Sequence, residues 1–188
     1  MKFLLTSGIR LISQKTNSSS LQFVHTSDDL LVQTDETAEV FTSNKSNKVI
    51  ILGRLIGFKQ SESWACSSEE IKKYISDNVD NVSNYEWVNS LEGRFIIIVI
   101  KNNNDFWMSG DKFGKKDIFY QEDEDGIVIA SNLSLLPTKP GSDGFDQSAL
   151  IHTLTYYGYR PPKKHTIYNN VRRLGVGEIV DRKEGNID

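Results

Sequence analysis

A run of apolar residues from Phe95 to Ile100 is the feature that most constrains how this chain folds. The segment RFIIIVI is continuous, so no polar residue alternates with the apolar ones. Such a pattern predicts a strand that is buried on both faces, whereas a strand with one solvated face alternates. We therefore expect this strand to lie inside a layered structure.

Other extended segments surround this run. Up to about residue 60 they are KFLLTS, LQFVHT, LLVQT, AEVFTS and VIILGRLIGF, and later ones are NDFWMSG, IFYQ, GIVIAS and GEIVDR. Period-two alternation in LQFVHT and AEVFTS is typical of half-buried strands. The segments QKTNSSS and SNKSNK are rich in Ser and Asn and predict turns. Short strands joined by polar turns predict an antiparallel sheet.

Helical spacing occurs in a few places. Ser67 and Glu70 have the spacing of a capping box, and apolar residues follow at helical intervals, so a helix is predicted over residues 68–79. YEWVNSL predicts a further helical turn, and Asp146 is placed to cap a helix that contains Ala149, Leu150, Ile151 and Leu154. Strands interrupted by one or two helices favour an α+β fold of layered sheets, with helices on their outer faces, over a doubly wound parallel sheet.

Composition narrows the class of protein. The chain has 188 residues, 38% of them apolar, which suits one domain with a substantial core. Its net charge of −3 predicts no strong attraction to nucleic acid or to a membrane surface. The apolar part of MKFLLTSGIRLISQ is short, so a first strand is favoured over a signal peptide. A single cysteine, Cys66, excludes an internal disulfide and fits a reducing, cytoplasmic compartment.

Taken one at a time, the chemical motifs of this sequence are weak evidence for a functional site. DKFGKK has one glycine and leads into a strand, which favours a connection with solvated lysines over a phosphate loop. Basic pairs near tyrosines, such as Lys163-Lys164, are insufficient for a nucleic-acid site in an acidic chain. His25, His152 and His165 lack metal-ligand spacing, so no metal site is predicted. Cys66 lies among glutamates, which favours an ordinary cysteine over a nucleophile.

The order of several segments after residue 91 is more specific. LEGRFIIIVI, SGDKFGKKDIFY, GIVIASNLSLL and DQSALIHTLTYYGYRPPKKHTIYNNVRRLGVGE follow one another. Together they resemble the second half of the glutamine amidotransferase domain that opens asparagine synthetases and related amide-forming enzymes. That family has an acidic residue and a glycine before a buried strand, then D-R-F-G-x-K-P-L-Y-Y, A-S-E, Y-x-P and L-x-x-G elements. The resemblance covers roughly half of the chain.

The resemblance implies a four-layer αββα sandwich of two antiparallel sheets, the N-terminal-nucleophile-hydrolase fold. Residues 1–182 would form the domain, and residues 183–188 would be a polar tail, the start of a linker to a missing synthetase domain. In active relatives, an N-terminal cysteine attacks the amide of glutamine, its α-amine handles protons, and an Asn and a Gly stabilise the oxyanion. Ammonia then passes to a second domain, where ATP activates a carboxylate.

The chain departs from this pattern at each position that can be aligned. Ser7 replaces the cysteine and is preceded by six residues, so it has a free α-amine only if the chain is processed. Gly53 is retained, but Leu52 replaces the Asn that donates to the oxyanion, and Arg54 reverses an acidic charge. Glu70 keeps the glutamate of a D-x-E element whose first acid is Ser68. The R-G-P-D loop that binds glutamine is not found.

Losing one oxyanion donor typically lowers the rate about 100- to 1,000-fold. The leading hypothesis is therefore a glutaminase-deficient domain that acts structurally in, or alongside, an asparagine-synthetase-like enzyme. By resemblance, its predicted binding residues are Gly53, Arg54 and Glu70. The alternatives are a fragment of a glutamine-hydrolysing asparagine synthetase and a free-standing binding or regulatory module. We predict no cofactor in this chain, since ATP and Mg are implied only for a partner domain with an S-G-G-x-D-S loop. A homodimer is left open.

The segment DKFGKKDIFY is expected to mark this fold as a strand-loop-strand element. Phe113 and Tyr120 are predicted to pack against other residues, and Lys115 and Lys116 are predicted to face solvent.

Overall fold

The computed structural model of the chain describes residues 1–8, 21–60, 63–80, 85–124, 126–137, 144–157, 164–183 and 186–187. Two antiparallel sheets carry most of the regular structure in these residues, and helices are few. The protein is therefore α+β, as predicted. The chain divides into two compact units, Met1–Asp35 with Asp117–Gly175 and Glu36–Lys116 with Val176–Asp188. Each unit contains one of the sheets, and their stacking in four layers stays a prediction.

The predicted extended segments all form strands. The strands of the described residues are, in chain order, Phe3–Gly8 (β1), Gln22–Thr26 (β2), Leu30–Thr34 (β3), Ala38–Thr42 (β4), Lys48–Gln60 (β5), Ser63–Ala65 (β6), Leu91–Ile100 (β7), Phe106–Gly110 (β8), Phe119–Asp123 (β9), Gly126–Ala130 (β10), Arg172–Arg173 (β11), Ile179–Lys183 (β12) and Asn186–Ile187 (β13). The short strands β6, β11 and β13 were not predicted from the sequence. The α-helices of the described residues are Ser68–Val79 (α1) and Gln147–His152 (α2).

The sheet of the first unit is organised around β1. Its strand order is β11-β9-β10-β1-β3-β2, so β1 pairs with β10 on one side and with β3 on the other. Phe3, Leu4 and Leu5 are at most 2% exposed. Burying an apolar side chain of this size contributes about 1.5–3 kcal/mol, so the apolar start of the chain stabilises the middle of a sheet.

The sheet of the second unit is organised around β7. Its strand order is β13-β12-β8-β7-β5-β4, and β6 pairs with β5 outside this path. Phe95 is 0% exposed and Ile100 is 3% exposed, and the residues between them are fully buried. The prediction of a strand buried on both faces is confirmed.

Helix α1 covers one face of this second sheet. Ile71, Ile75 and Val79 recur every four residues and therefore lie on one side of the helix. They share a hydrophobic core with alternate residues of β7 and with two tryptophans. The β7 residues are Phe95, Ile97 and Val99, and the tryptophans are Trp87 and Trp107. The tryptophan rings meet edge to face with centroids 5.9 Å apart, a favourable aromatic geometry. A helix therefore covers one face of this sheet, and its position on an outer face stays a prediction.

Both ends of α1 are held by side chains. At the start, the Ser67 hydroxyl accepts the Glu70 amide, and the Glu70 carboxylate accepts the Ser67 amide and hydroxyl. At the end, Asp80 accepts hydrogen bonds from the Ser43 hydroxyl at 2.9 Å and the Asn47 amide group at 2.6 Å. The backbone amide of Lys45 donates to the other Asp80 oxygen at 3.0 Å. The predicted helix and its capping box are confirmed.

The second predicted helix is also present. Asp146 accepts the Ala149 amide at 2.9 Å and so caps α2, which continues as a π-helical turn over Thr153–Tyr157. Of its apolar residues, Ala149 is 1% exposed, whereas Ile151 is 60% and Leu154 75% exposed. The YEWVNSL segment contains a 3-10 turn over Glu86–Ser90, which confirms the predicted helical turn.

The chain beyond residue 182 adds a short edge to the second sheet. β13 pairs with β12 through Arg182 with Ile187 and Lys183 with Asn186. The boundary at residue 182 and the linker role of residues 183–188 stay predictions. Among the described helices, none is long and apolar enough to cross a membrane.

Replacing the N-cap of α1 should destabilise the protein. Ser67→Ala removes the acceptor of the Glu70 amide, and loss of such a cap costs about 1 kcal/mol in the free energy of unfolding. Urea denaturation followed by circular dichroism measures this loss. Ser68→Ala is the matched control, since Ser68 is an exposed first residue of the helix, and it should change stability by less than about 0.5 kcal/mol. Equal losses in the two variants would contradict the capping role.

The cap of α2 should make stability depend on pH. The hydrogen bond from the Ala149 amide, followed by the contact with His165, lowers the pKa of Asp146 below its ordinary value of 3.8. A carboxyl whose pKa is lowered by folding stabilises the protein above pH 3.8 and loses this contribution as the pH falls through its folded value. The stability advantage over Asp146→Asn should therefore be present above about pH 4 and shrink as the pH falls below it. Urea titrations across this range measure it, with Asp28→Asn, at an exposed carboxylate, as the control.

Candidate functional site

Ser7, which the resemblance aligns with the nucleophile, lies inside β1 of the first unit. It is 0% exposed and pairs with Leu30 on one side and Ile127 on the other. Its hydroxyl donates to the backbone carbonyl of Asp29 at 2.6 Å and lies 3.3 Å from the Asp29 carboxylate. The hydroxyl is thus engaged within the sheet and is not presented to solvent.

Processing at Ser7 would alter this sheet. Residues Phe3 to Thr6, which precede it, form most of β1 and are all buried. In the described structure they pair with β3 and β10, so their removal would expose the edges of both strands. A free α-amine at Ser7 is therefore incompatible with this arrangement of β1.

Gly53 lies in β5 of the second unit, where its backbone has a φ of +96°. A Cβ there would come within 2.4 Å of the carbonyl oxygen of Arg94 on β7. The same close approach occurs from the other strand. Gly93 has a φ of +154°, and a Cβ added there would come within 2.3 Å of the Arg54 carbonyl oxygen. Close approach of the two backbones accounts for glycine at position 53 without any role in stabilising an oxyanion.

Arg54 lies beside this glycine and has a basic neighbour. In the register of β5 and β7, Arg54 is directly opposite Arg94, and both side chains are exposed. A register irregularity follows between Leu55 and Gly57. The structure therefore places two guanidinium-bearing side chains together where the resemblance implies an acidic residue.

Glu70 lies at the first turn of α1, where its carboxylate closes the capping box. Its hydrogen bonds go to the Ser67 hydroxyl at 2.5 Å and the Ser67 amide at 3.4 Å. No described hydrogen bond or ion pair joins it to Gly53 or Arg54. The helix cap accounts for a glutamate at this position, and binding by Glu70 stays a prediction.

The predicted residues are thus distributed over both units. Ser7 belongs to the first unit, and Gly53, Arg54 and Glu70 belong to the second. Only Gly53 and Arg54 are brought together, with Arg94 opposite Arg54 and Gly93 next to Arg94 on β7. The latter two were missed from the sequence, although a glycine beside a strand run is a sign of close backbone approach.

The loop of DKFGKK folds around Asp111, which is 2% exposed. One oxygen of its carboxylate accepts the amides of Phe113 at 3.1 Å and Lys115 at 3.4 Å, and its carbonyl accepts the Gly114 amide at 2.9 Å. These amides point into the turn, so they do not form a cradle for phosphate.

The expectation that Phe113 packs into the fold is wrong, since its side chain is 59% exposed. The turn around Asp111 directs residue 113 outward, where its ring centroid lies 5.3 Å from the Lys112 ammonium and 5.1 Å from the Lys115 ammonium. Lys115 is exposed as predicted, whereas Lys116, which was also predicted to face solvent, is partly buried. Tyr120, which was predicted to pack against other residues, is partly buried as well.

Other cavities and clusters lie away from the predicted residues. A surface depression of about 490 Å³ in the second unit is lined by Tyr85, Glu86, Val88, Asn89, Ser109, Gly177 and Ile179. Within the described part of the chain, no group of His, Cys, Asp and Glu side chains has the arrangement of a metal site. Cys66 is an exposed free thiol just before α1.

Substituting Gly53 should test the close approach of β5 and β7. Gly53→Ala introduces both backbone strain and a Cβ clash, so the free energy of unfolding should fall by more than the 1–3 kcal/mol, roughly, of backbone strain alone. Gly177→Ala is the matched control, because Gly177 has a φ of +73° but nothing within 4 Å of its Cβ position. Thermal and urea denaturation compare the two. Equal losses would contradict the reciprocal contact.

Comparison with known proteins agrees with the resemblance of the second half of the chain. A family model described as a glutamine amidotransferase domain matches residues 81–188. A search of curated proteins finds no match. The family match includes the apolar strand β7, the loop around Asp111 and strands β8 to β13. Because it covers more than half of the 188 residues, the chain belongs to the glutamine amidotransferase domain family.

Proposed function

We propose that this amidotransferase domain lacks glutaminase activity and acts structurally in, or alongside, an asparagine-synthetase-like, ATP-dependent amide-forming enzyme. The observation that carries the proposal is the position of Ser7 inside a central strand, with its hydroxyl bound to the Asp29 carbonyl. A serine in this position has neither the thiolate nor the free α-amine that the family mechanism uses.

The oxyanion position supports the same proposal. Leu52 is 1% exposed and has an apolar side chain, so it cannot donate a hydrogen bond to an anionic intermediate. Arg54 is positively charged at the position where the family has an acidic residue. Gly53 has a backbone reason to be retained, and Glu70 is used in a helix cap. Each of these residues is consistent with a domain that keeps the fold of the family without glutaminase activity.

The partner in this proposal is a synthetase domain or subunit with an S-G-G-x-D-S loop. ATP and Mg belong to that partner, where they activate a carboxylate for attack by an amine. The amidotransferase domain contributes a folded surface rather than ammonia. A cytoplasmic location belongs to the same proposal, because cytoplasm supplies ATP and keeps Cys66 reduced.

One alternative has an observation in its favour. A free-standing binding or regulatory module needs exposed groups that recognise a ligand, and the exposed arginines 54 and 94 are groups of this kind. The other alternative, a fragment of a glutamine-hydrolysing asparagine synthetase, requires processing at Ser7 and is less compatible with a buried β1.

Glutamine hydrolysis tests the loss of activity. Purified protein should release no glutamate from glutamine above the level of a buffer blank, and Ser7→Ala should give the same result, because the Ser7 hydroxyl is bound within the sheet. Intact-mass measurement should find a chain that still contains residues 1–6. Glutamate release that disappears in Ser7→Ala, together with a mass that begins at Ser7, would overturn the proposal.

A further inference from the structure

The pairing of Arg54 with Arg94 is electrostatically unfavourable as it stands. Residues directly opposite in an antiparallel pair have Cβ atoms about 4.5–5.5 Å apart, and like charges in this position are destabilising. Both side chains are exposed, and in the described structure neither makes a hydrogen bond or an ion pair. The protein therefore concentrates positive charge here without an internal counter-charge on either arginine.

The backbone prevents the two strands from relieving this repulsion. Gly53 and Gly93 bring each backbone against the carbonyl of the arginine opposite, at distances that exclude any Cβ. A one-residue slip would place a side-chain-bearing residue at these contacts. The register that sets Arg54 against Arg94 is thus fixed by the same glycines that flank the pair.

The loop around Asp111 adds further cations. The Lys115 ammonium donates to the Gly93 carbonyl at 3.4 Å, and the Cε atom of Lys116 lies 3.4 Å from the Cβ position of Gly53. Two lysines therefore reach the two glycines beside the arginine pair. The neighbouring acid, Glu92, is already in an ion pair with Lys112, so its charge is offset.

We infer that Arg54 and Arg94, with Lys115 and Lys116 beside them, bind an oxyanion, namely a phosphate or carboxylate group of a small molecule. Guanidinium groups present paired N–H donors that match the oxygens of either anion, and charge-assisted hydrogen bonds of this kind are strong. An anion between the arginines turns their repulsion into a shared attraction. Side chains hold it, since the loop amides of Phe113 and Lys115 are bonded to Asp111.

This site is independent of glutamine hydrolysis. Hydrolysis takes place at the neutral side-chain amide of glutamine, whereas the arginine pair binds a negatively charged group and takes no part in that step. A result in the glutaminase assay therefore leaves the anion site untouched, and failure of either proposal is seen separately.

Titration of the full chain with inorganic phosphate tests the inference. Isothermal titration and thermal denaturation compare phosphate with chloride at matched ionic strength, because simple screening acts equally in both. Wild-type protein should show a saturable rise in melting temperature with phosphate. Arg54→Gln and Arg94→Gln should each weaken the affinity at least about tenfold, as expected for loss of a charge-assisted hydrogen bond.

Arg172→Gln is the matched control. Arg172 is an exposed strand arginine of the first unit, so its loss removes the same charge and should leave the phosphate affinity unchanged. Without phosphate and at low salt, Arg54→Gln should melt at the same temperature as wild type or higher, because repulsion is relieved. An unchanged or higher melting temperature without phosphate shows that the variant is folded, so its loss of phosphate binding is not caused by unfolding.

Succinate in place of phosphate identifies the class of ligand. A saturable response to succinate that is lost in both site variants assigns a carboxylate, and a response to phosphate alone assigns a phosphate. The inference is overturned if neither anion exceeds chloride, or if Arg54→Gln and Arg94→Gln respond as Arg172→Gln does.

Discussion

The pairing of β5 with β7 is the interaction on which the second unit depends. The ladder runs from Lys48 opposite Ile100 to Phe58 opposite Leu91, and it joins the 13-residue strand β5 to the buried run of β7. Helix α1 packs on side chains from both strands. The ladder crosses the reciprocal glycines, where the two backbones approach too closely for any side chain. The core, the helix and the arginine pair all take their positions from this register.

Gly53 shows that strand geometry alone can require a residue to which the resemblance assigns a chemical role. In an active amidotransferase a glycine at this place contributes to the oxyanion site, and the resemblance alone suggests the same for Gly53. Here the strand geometry by itself requires glycine, because a Cβ would meet the Arg94 carbonyl. A glycine at position 53 is therefore not by itself evidence for an oxyanion site. The same reasoning applies to Glu70, whose carboxylate completes a helix cap.

Local patterns predicted much of the fold because the forces behind them are local. The capping box located α1 from Ser67, and the continuous run from Phe95 located the buried strand. The candidate site was less accessible to prediction. Arg54 and Arg94 are opposite each other only through the register of β5 and β7, which no short window of sequence contains. Phe113 was misjudged because the side-chain turn around Asp111, rather than hydropathy, decides which way it points.

Asp80 links the far end of α1 to the hairpin between β4 and β5. A carboxylate at a helix C-terminus is unfavourable toward the helix dipole, and here donors from Ser43, Lys45 and Asn47 hold it. Those donors are in position only when the hairpin is closed, so the end of the helix and the hairpin turn stabilise each other. We therefore expect the two segments to open as one cooperative unit, so that their slowest backbone amides exchange with solvent together.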